Sequence, residues 1–223
     1  MSVIGALVRR TVPPVTLVRW LCRLDNAVYR ALSLASIEYG GGLHAKHRLT
    51  RYHEFFVTRV AVGERVLDIG CGNGALAADL ARESKAVVTG IDQNGASIRA
   101  ARATHAGASI MFTHGDARRL PPGAFDVVIL SNVLEHLDDR VGFLRDTVAR
   151  TGAARVLVRV PLFERDWRVP LKRELGVDYR LDPTHCIEYT QEEFEAEMAA
   201  AGFAVDERQV RWGEIWAVCR PRR

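Results

Sequence analysis

The sequence predicts an α/β protein in which a mostly parallel sheet is covered by helices on both faces. After Gly63, short apolar runs alternate with Ala-rich or amphipathic segments, a pattern typical of strands buried between helices. Near the end of the chain only residues 211–213 separate two further strands, and so short a link predicts an antiparallel pair at the sheet edge. The chain has 223 residues, 48% of them apolar, which is enough for a sizeable core.

The first 60 residues predict a basic helical cap. Over residues 15–34 the apolar side chains recur at helical spacing, and three arginines stand outside this stripe. The stripe consists of Leu17, Trp20, Leu21, Leu24, Val28 and Leu32. A helix of this kind either packs on its own domain or lies on a membrane surface. Glycines at 40–42 end it, and a second helical stretch is expected over residues 44–60.

The main domain is expected to span residues 61–223. Strands are predicted at 65–69, 86–91, 109–113, 125–130, 155–160, 203–210 and 214–219. Helices are predicted at 75–83, 96–105, 140–150 and 191–201. Residues 161–190 are expected to form a lid-like insert, because much of this segment is charged and carries aromatic side chains that suit a polar substrate.

Charge and composition restrict the partners and the location. Residues 1–60 hold nine basic residues against three acidic ones, whereas the whole chain carries a net charge of +4. A basic segment suits an anionic partner such as a phosphate, a nucleic acid or a lipid surface. The sequence contains no apolar run long enough for a spanning helix. Four cysteines without a C-x-x-C pair fit a reducing compartment, and we expect a cytoplasmic protein.

The strongest local motif is VLDIGCGNG at residues 66–74, in which a buried strand runs into a glycine-rich turn and a helix start. Glycines there let the backbone approach a ligand, and the helix start offers free N–H groups. Asp92 ends the second strand, 22 residues after Gly70. An acid at this place can accept hydrogen bonds from both ribose hydroxyls. These features predict a ligand that contains adenosine and leave its identity open.

Further features favour S-adenosylmethionine over NAD. Asp68 precedes the first glycine by two residues and can meet an amine, which NAD lacks and S-adenosylmethionine carries. The segment HGDA at 114–117 follows the third strand and places a carboxylate where an adenine amino group could reach it. SNVLEHL at 131–137 follows the fourth strand, at the centre of the ligand edge. The chain has no Tyr-x-x-x-Lys pair of the kind that a short-chain dehydrogenase needs.

Residues 63–219 resemble a class I S-adenosylmethionine-dependent methyltransferase of the methyltransferase type 11-like group. The matching segments are VLDIGCGNG (66–74), GIDQN (90–94), HGDARRLP (114–121) and FDVVILSNVLEHLDD (125–139). The resemblance implies a Rossmann-like seven-stranded sheet that ends in an antiparallel hairpin. It also implies S-adenosyl-L-methionine as the cofactor and methyl transfer as the activity.

The resemblance implies roles for residues around the methionine end of the cofactor. Gly70, Gly72 and Gly74 would form the turn around the methionine moiety, with Cys71 inside that turn. Asp68 would hold the amino group.

At the adenosine end the resemblance assigns four further residues. Asp92 would bind the ribose hydroxyls, with Gln93 beside the adenine ring. Asp116 would accept a hydrogen bond from the adenine amino group, and the backbone of Ala117 would meet the ring.

Methyl transfer is an in-line displacement, and a hydroxyl nucleophile benefits from a general base. The resemblance places Ser131 and Asn132 near the reactive methyl group. His136, after the fourth strand, is the first candidate for the base. His185, in the later segment DPTH, is the rival candidate.

The residues after the fourth strand suit either a metal site or a metal-free pair of side chains. Asn132, Glu135 and His136 have the spacing of one helix face, and His185 folded over them could complete a site for a divalent metal. The run resembles that of small-RNA 2′-O-methyltransferases, but Asn132 replaces a glutamate of their set. We therefore predict no bound metal and a Glu–His pair instead.

The predicted activity is methyl transfer to an oxygen of a small polar, glycan or lipid-linked metabolite. One alternative is an RNA-directed methyltransferase, although the chain carries no recognisable RNA-binding module and a nucleic-acid partner is not expected. Another is a catalytically inactive partner subunit that retains the fold. Peripheral membrane contact through the first helix is a separate hypothesis.

Overall fold

The computed structural model describes residues 12–41, 44–105, 110–120 and 123–222. Seven strands form one sheet in the order β3-β2-β1-β4-β5-β7-β6. The strands are β1 (Arg65–Ile69), β2 (Val87–Asp92), β3 (Ile110–His114), β4 (Val127–Ser131), β5 (Arg155–Pro161), β6 (Phe203–Arg211) and β7 (Glu214–Pro221). The helices are α1 (Pro14–Tyr39), α2 (Lys46–Thr50), α3 (Tyr52–Val57), α4 (Ala75–Asp79), α5 (Gly95–Thr104), α6 (Arg140–Thr151), α7 (Arg168–Glu174) and α8 (Gln191–Ala200).

The strand directions confirm the predicted fold class. β1 pairs in parallel with β2 and β4, β2 with β3, and β4 with β5. β7 runs antiparallel to both β5 and β6. Trp212 and Gly213 make the hairpin turn with positive φ angles of 56° and 74°. Because β1, β2 and β4 are parallel neighbours, their carboxyl ends meet at one edge of the sheet.

Two apolar layers cover the sheet, and β1 contributes to both. Leu67 and Ile69 pack with the layer that contains residues of α6 and α8. Val66 packs with the layer that contains residues of α3, α4 and α5. Successive side chains of a strand point to opposite faces, so Asp68 lies on the same side as Val66. A carboxyl group therefore occupies a place in β1 that is otherwise apolar.

Two predicted helices end earlier than their patterns indicate. Arg51 adopts a left-handed conformation with φ 54°, which separates α2 from α3. The expectation of one continuous helix over residues 44–60 was therefore wrong. The helix predicted over 75–83 is α-helical only as α4 and continues as a π-helical turn over Leu80–Ser84.

The insert at residues 161–190 contains a 3₁₀ turn (Phe163–Arg165) and α7, and one arginine holds its two ends together. Arg165 Nη1 donates to the Leu162 carbonyl at 2.9 Å, and Nη2 donates to the Tyr179 carbonyl at 2.7 Å. The same guanidinium forms an ion pair with the buried Glu188. The insert is thus anchored to the strand end that it follows.

α1 contacts the insert with its polar side. Lys172 Nζ donates to Asp25 Oδ2 at 2.6 Å, and Asn26 Nδ2 donates to the Asp178 carbonyl at 2.6 Å. Cys22 lies buried on this side, whereas the predicted apolar stripe faces outward from Trp20 to Leu32. Of the two alternatives for this helix, packing on its own domain is observed, but through its polar side and not through the apolar stripe. Among the described residues, no helix is both long and apolar enough to cross a membrane.

Candidate functional site

The glycine-rich turn after β1 opens toward free space at the sheet edge. Gly72 has φ 55°, and a side-chain carbon added there would meet no atom within 4 Å. The same addition at Gly70 would come within 2.8 Å of Val133, so the turn packs closely against the segment after β4. Cys71 lies in the turn with its thiol buried, and burial raises the pKa of this thiol above its ordinary value. Gly74 has φ 78° and precedes α4.

Asp92 ties this turn to the end of β2. Its Oδ2 accepts from the Gly72 amide at 2.8 Å, and its Oδ1 accepts from the Asn94 amide at 2.7 Å. Each carboxylate oxygen retains a further lone pair, so Asp92 can still accept from two hydroxyl groups of a ligand. Gln93 follows with its side chain exposed, and its carbonyl lies 3.0 Å from His114 Nε2.

Asp68 is a buried carboxyl group with an oxygen that lacks a partner. Its Oδ2 has no hydrogen-bond partner among the described residues. Burial, together with the negative charge of Asp92, raises the pKa of Asp68 to about 7. An ammonium group would supply both the missing hydrogen bond and the opposite charge. The orphaned oxygen therefore fits the amino group of an amino-acid moiety bound at the turn.

Asp116 and Ala117 follow the end of β3 at the same edge of the sheet. Both oxygens of Asp116 accept from the guanidinium of Arg118, with Nη2 at 2.8 Å from Oδ2. Hydrogen bonds from Arg118 lower the pKa of Asp116 below its ordinary value. An adenine amino group would have to share this carboxylate with Arg118. Ala117 is half-buried and packs against the core.

The segment after β4 departs from the predicted helical geometry. Asn132 adopts a left-handed conformation with φ 58°, and a single 3₁₀ turn (Leu134–His136) follows. Asn132 therefore precedes the helical turn that carries Glu135 and His136, and the three side chains do not share one helix face. Asn132 Oδ1 is buried without a partner among the described residues. Ser131 Oγ lies 3.3 Å from Arg159 Nη1 and accepts its hydrogen bond.

The structure brings the two predicted catalytic histidines together. The rings of His136 and His185 have centroids 4.7 Å apart. Thr184 Oγ1 donates its one hydrogen to Asp182 Oδ1 at 2.6 Å, so it must accept from His136 Nδ1 at 2.9 Å. This arrangement leaves a lone pair on His136 Nε2. Burial and the neighbouring His185 lower the pKa of His136, which favours the neutral form.

His185 has a comparable arrangement but is buried. Its Nδ1 lies 3.2 Å from Glu188 Oε1, and Glu188 is held by an ion pair with Arg165. A carboxylate can only accept, so the proton of neutral His185 lies on Nδ1 and its Nε2 also carries a lone pair. His136 is the more exposed of the two rings, and an incoming acceptor can reach it more easily.

Glu135 joins the two histidines, and the three side chains could hold a metal. One potential ligand atom from each lies within 4.8 Å of the others. Neither carboxyl oxygen of Glu135 has a hydrogen-bond partner among the described residues. Burial raises the pKa of Glu135 to about 8, so it binds a proton at neutral pH when no cation is near. The predicted pair of Glu135 with a histidine is therefore not formed through a hydrogen bond, and the absence of a metal stays a prediction.

A buried ion pair behind the site was not anticipated from the sequence. Arg159 Nε and Nη2 donate to the two oxygens of Glu214, each at 2.6 Å, and the guanidinium lies 3.8 Å from the centre of the Tyr52 ring. Lys46 Nζ lies 3.9 Å from Glu214. The one signal in the sequence is an arginine inside the otherwise apolar run VLVRVP. The pair connects the sheet edge to α2 and α3.

Side chains of α2 and α3 contribute neutral polar groups at this end. Tyr52 Oη lies 2.9 Å from His47 Nδ1, and burial raises the pKa of Tyr52 to about 12. Burial, followed by the nearby His53, lowers the pKa of His47 to about 4. His53 Nδ1 lies 2.6 Å from Asp79 Oδ2 at the end of α4. His47 and Tyr52 are therefore uncharged at neutral pH.

Comparison with known proteins identifies relatives of this chain. A family model described as a methyltransferase domain matches residues 42–208. A probable S-adenosylmethionine-dependent methyltransferase of Mycolicibacterium smegmatis is 32% identical over 190 residues, which cover 82% of this chain and 70% of the relative. A ubiquinone biosynthesis O-methyltransferase of Azorhizobium caulinodans is 33% identical over 165 residues. That match covers 70% of this chain and 64% of the relative, just under two thirds of its length.

A solved structure with similar architecture agrees with these matches. The crystal structure of a small RNA methyltransferase superposes on this chain with a TM-score of 0.65 at 16% identity. The match covers 78% of this chain and 25% of that methyltransferase chain. At this identity the likeness concerns the fold alone.

Proposed function

Since the chain belongs to the class I S-adenosylmethionine-dependent methyltransferases, we propose that it methylates an oxygen atom of a small polar acceptor, such as a glycan or a lipid-linked metabolite. S-adenosylmethionine, when bound, supplies a methyl group on a sulfonium that a nucleophile can displace. The observation that carries the choice of oxygen is the neutral His136, whose Nε2 keeps a free lone pair after β4.

The residues of the sheet edge bind and orient the cofactor. In this proposal Asp68 pairs with the amino group, and the turn from Gly70 to Gly74 surrounds the methionine moiety. Asp92 accepts from the ribose hydroxyls. Gln93, Asp116 and Ala117 line the adenine side, and Ser131 and Asn132 lie near the methyl group. Alignment of this kind contributes about 7–11 kcal/mol to an in-line displacement.

A hydroxyl acceptor must lose its proton as it attacks, and His136 is placed to receive that proton. When Nε2 accepts it, the positive charge of the ring is stabilised through Nδ1–H by Thr184 and the carboxylate of Asp182. His185, oriented by Glu188, is the second candidate for the base. An amine acceptor can already be deprotonated in solution and would need this arrangement less.

Two further observations support a small polar acceptor. The relative from Azorhizobium is named an O-methyltransferase of ubiquinone biosynthesis, which agrees with transfer to oxygen. Arg180 lies against the DPTH segment, where its Nη1 donates to the His185 carbonyl at 3.1 Å, and its guanidinium offers further donors to an acceptor with hydroxyl groups.

The first experiment is calorimetric titration with S-adenosylmethionine, S-adenosylhomocysteine and NAD, repeated with Asp92→Ala. We expect the two sulfur ligands to bind, Asp92→Ala to lose that binding, and NAD not to bind. An acceptor screen then compares hydroxyl compounds with amines. Transfer to amines alone would contradict the proposal.

The same measurements test the two alternatives. A chain that binds neither sulfur ligand would be a partner subunit without activity. A chain that methylates RNA, with binding that falls steeply as salt is added, would be an RNA-directed enzyme.

A further inference from the structure

α1 has a polar side and an apolar side, and its contacts establish which one faces the protein. At about 100° per residue, Cys22, Asp25 and Asn26 share one side. Asp25 accepts from Lys172 Nζ at 2.6 Å and from Arg168 Nη1 at 2.8 Å. These polar contacts, together with that of Asn26, orient the helix on the insert. A helix of a globular domain normally buries its apolar face instead.

Another side carries the apolar stripe, whose residues are exposed except for the half-buried Leu17. The stripe spans an arc of about 120° and, from its first to its last residue, a length of about 22 Å. Trp20 is 58% exposed, Val28 57% and Leu32 66%, and Leu21 and Leu24 are similarly open. A continuous apolar surface of this kind marks an interaction site.

The charges beside the stripe indicate which partner it suits. Arg23 is exposed about 60° around the helix from Trp20, and Arg30 is exposed about 20° further round. Of the two acids of α1, Asp25 is occupied by the ion pairs with the insert, and Glu38 is exposed near the end of the helix. Exposed arginines beside an apolar stripe match anionic head groups above an acyl region. Trp20 is typical of the membrane interface, where its ring can lie between the apolar and polar layers.

We propose that α1 is an interfacial helix that binds the surface of a membrane containing anionic lipids, with its apolar stripe inserted below the head groups. The helix lies parallel to the membrane plane and does not cross it. On its docked side, Asp25 and Asn26 tie α1 to the insert, whose Glu188 orients His185. Membrane binding would therefore hold the site at the lipid surface, where a lipid-linked acceptor is found; this consequence rests on the proposed function, whereas the binding itself does not.

The test is co-flotation of the full chain with phosphatidylcholine vesicles, with and without phosphatidylglycerol. We expect flotation with the anionic vesicles and a decrease as salt is added. The double variant Leu24→Ser with Val28→Ser should float at least about tenfold less. Val62→Ser with Met111→Ser is the matched control, since both residues are exposed but lie outside α1, and it should float like the wild type. Unchanged binding of S-adenosylhomocysteine confirms that each variant is folded.

Charge reversal separates the two parts of the proposal. Arg23→Glu with Arg30→Glu should reduce binding to anionic vesicles and leave cofactor binding unchanged. Wild-type protein that stays unbound with both kinds of vesicle would overturn the proposal. So would self-association through the stripe, seen as a dimer that Leu24→Ser with Val28→Ser abolishes without any flotation. Vesicle binding by a chain that methylates no hydroxyl compound would refute the proposed acceptor and leave the membrane helix intact.

Discussion

The sheet edge and α1 distribute polar and apolar groups in opposite ways. At the edge, ionisable side chains such as Asp68, Glu135 and Arg159 are buried. On α1, large apolar side chains such as Leu24 and Val28 are exposed. Both arrangements oppose the usual preference of these residues. A buried polar atom without a partner points to a ligand that enters the protein, whereas an exposed apolar stripe points to a partner that remains outside it.

The largest effect is expected from disrupting the buried ion pair behind the site. Arg159→Met should lower the free energy of unfolding by about 3–5 kcal/mol, because Glu214 would be left buried with its main partner removed. The measurement is chemical denaturation. Arg159→Met combined with Glu214→Leu should recover most of the loss, and a double variant as unstable as the single one would contradict this account.

The next effect is expected at the histidine pair. His136→Ala should reduce methyl transfer to a hydroxyl acceptor by about 10²–10⁴-fold, because general-base catalysis contributes a factor of this size. The affinity for S-adenosylhomocysteine, measured by calorimetry, should not change. His105→Ala is the control, since His105 lies at the end of α5. If His136→Ala retains the wild-type rate and His185→Ala does not, the base is His185.

The pKa of Asp68 predicts how cofactor binding depends on pH. Its raised pKa of about 7 means that the free protein binds a proton there below neutrality, and this proton competes with the ammonium group of the ligand. The affinity for S-adenosylhomocysteine should therefore fall by up to about tenfold for each pH unit below 7 and level off above it. Calorimetry across this range measures the slope. Asp68→Asn should bind more weakly at high pH and lack the slope, and an unchanged slope would assign it to another group.

Replacing large apolar side chains should change the free energy of unfolding much less on α1 than in the core. Leu24→Ser with Val28→Ser should alter the free energy of unfolding by no more than about 0.5 kcal/mol per residue, since both side chains are exposed. Leu67→Ala, in the middle of β1, should cost about 2–5 kcal/mol. Denaturation of the three proteins under one condition measures the contrast. A large loss from the α1 variant would mean that the stripe packs on its own domain.

The smallest effect is expected from metal removal. If Glu135, His136 and His185 act without a metal, dialysis against a chelator should leave the rate of methyl transfer unchanged. The rate is measured before and after dialysis, and again after adding Mg²⁺ or Mn²⁺. A lost rate that either cation restores would assign a metal to these three side chains.

Much of the fold and of the cofactor edge could be predicted because the signals are local. β1, its turn and the start of α4 occupy one continuous stretch, and their pattern of apolar residues and glycines defines the conformation. Asp68 and Asp92 were identified because strand ends of a parallel sheet meet at one edge. The conformation of Asn132 was not predicted, since a left-handed backbone is uncommon for a residue other than glycine.

The sequence by itself determined the order of the strands and helices, the ligand edge and the amphipathic character of α1, because each depends on residues close together in the chain. Only the tertiary structure decided which side of α1 faces the protein and which oppositely charged side chains form ion pairs. Helical spacing defines an apolar stripe, but the docked side depends on Lys172, which lies 147 positions from Asp25. Arg159 and Glu214 are likewise 55 positions apart. Such pairs form because folding brings distant segments together, and a polar contact made there outweighs the local preference of an apolar stripe for burial.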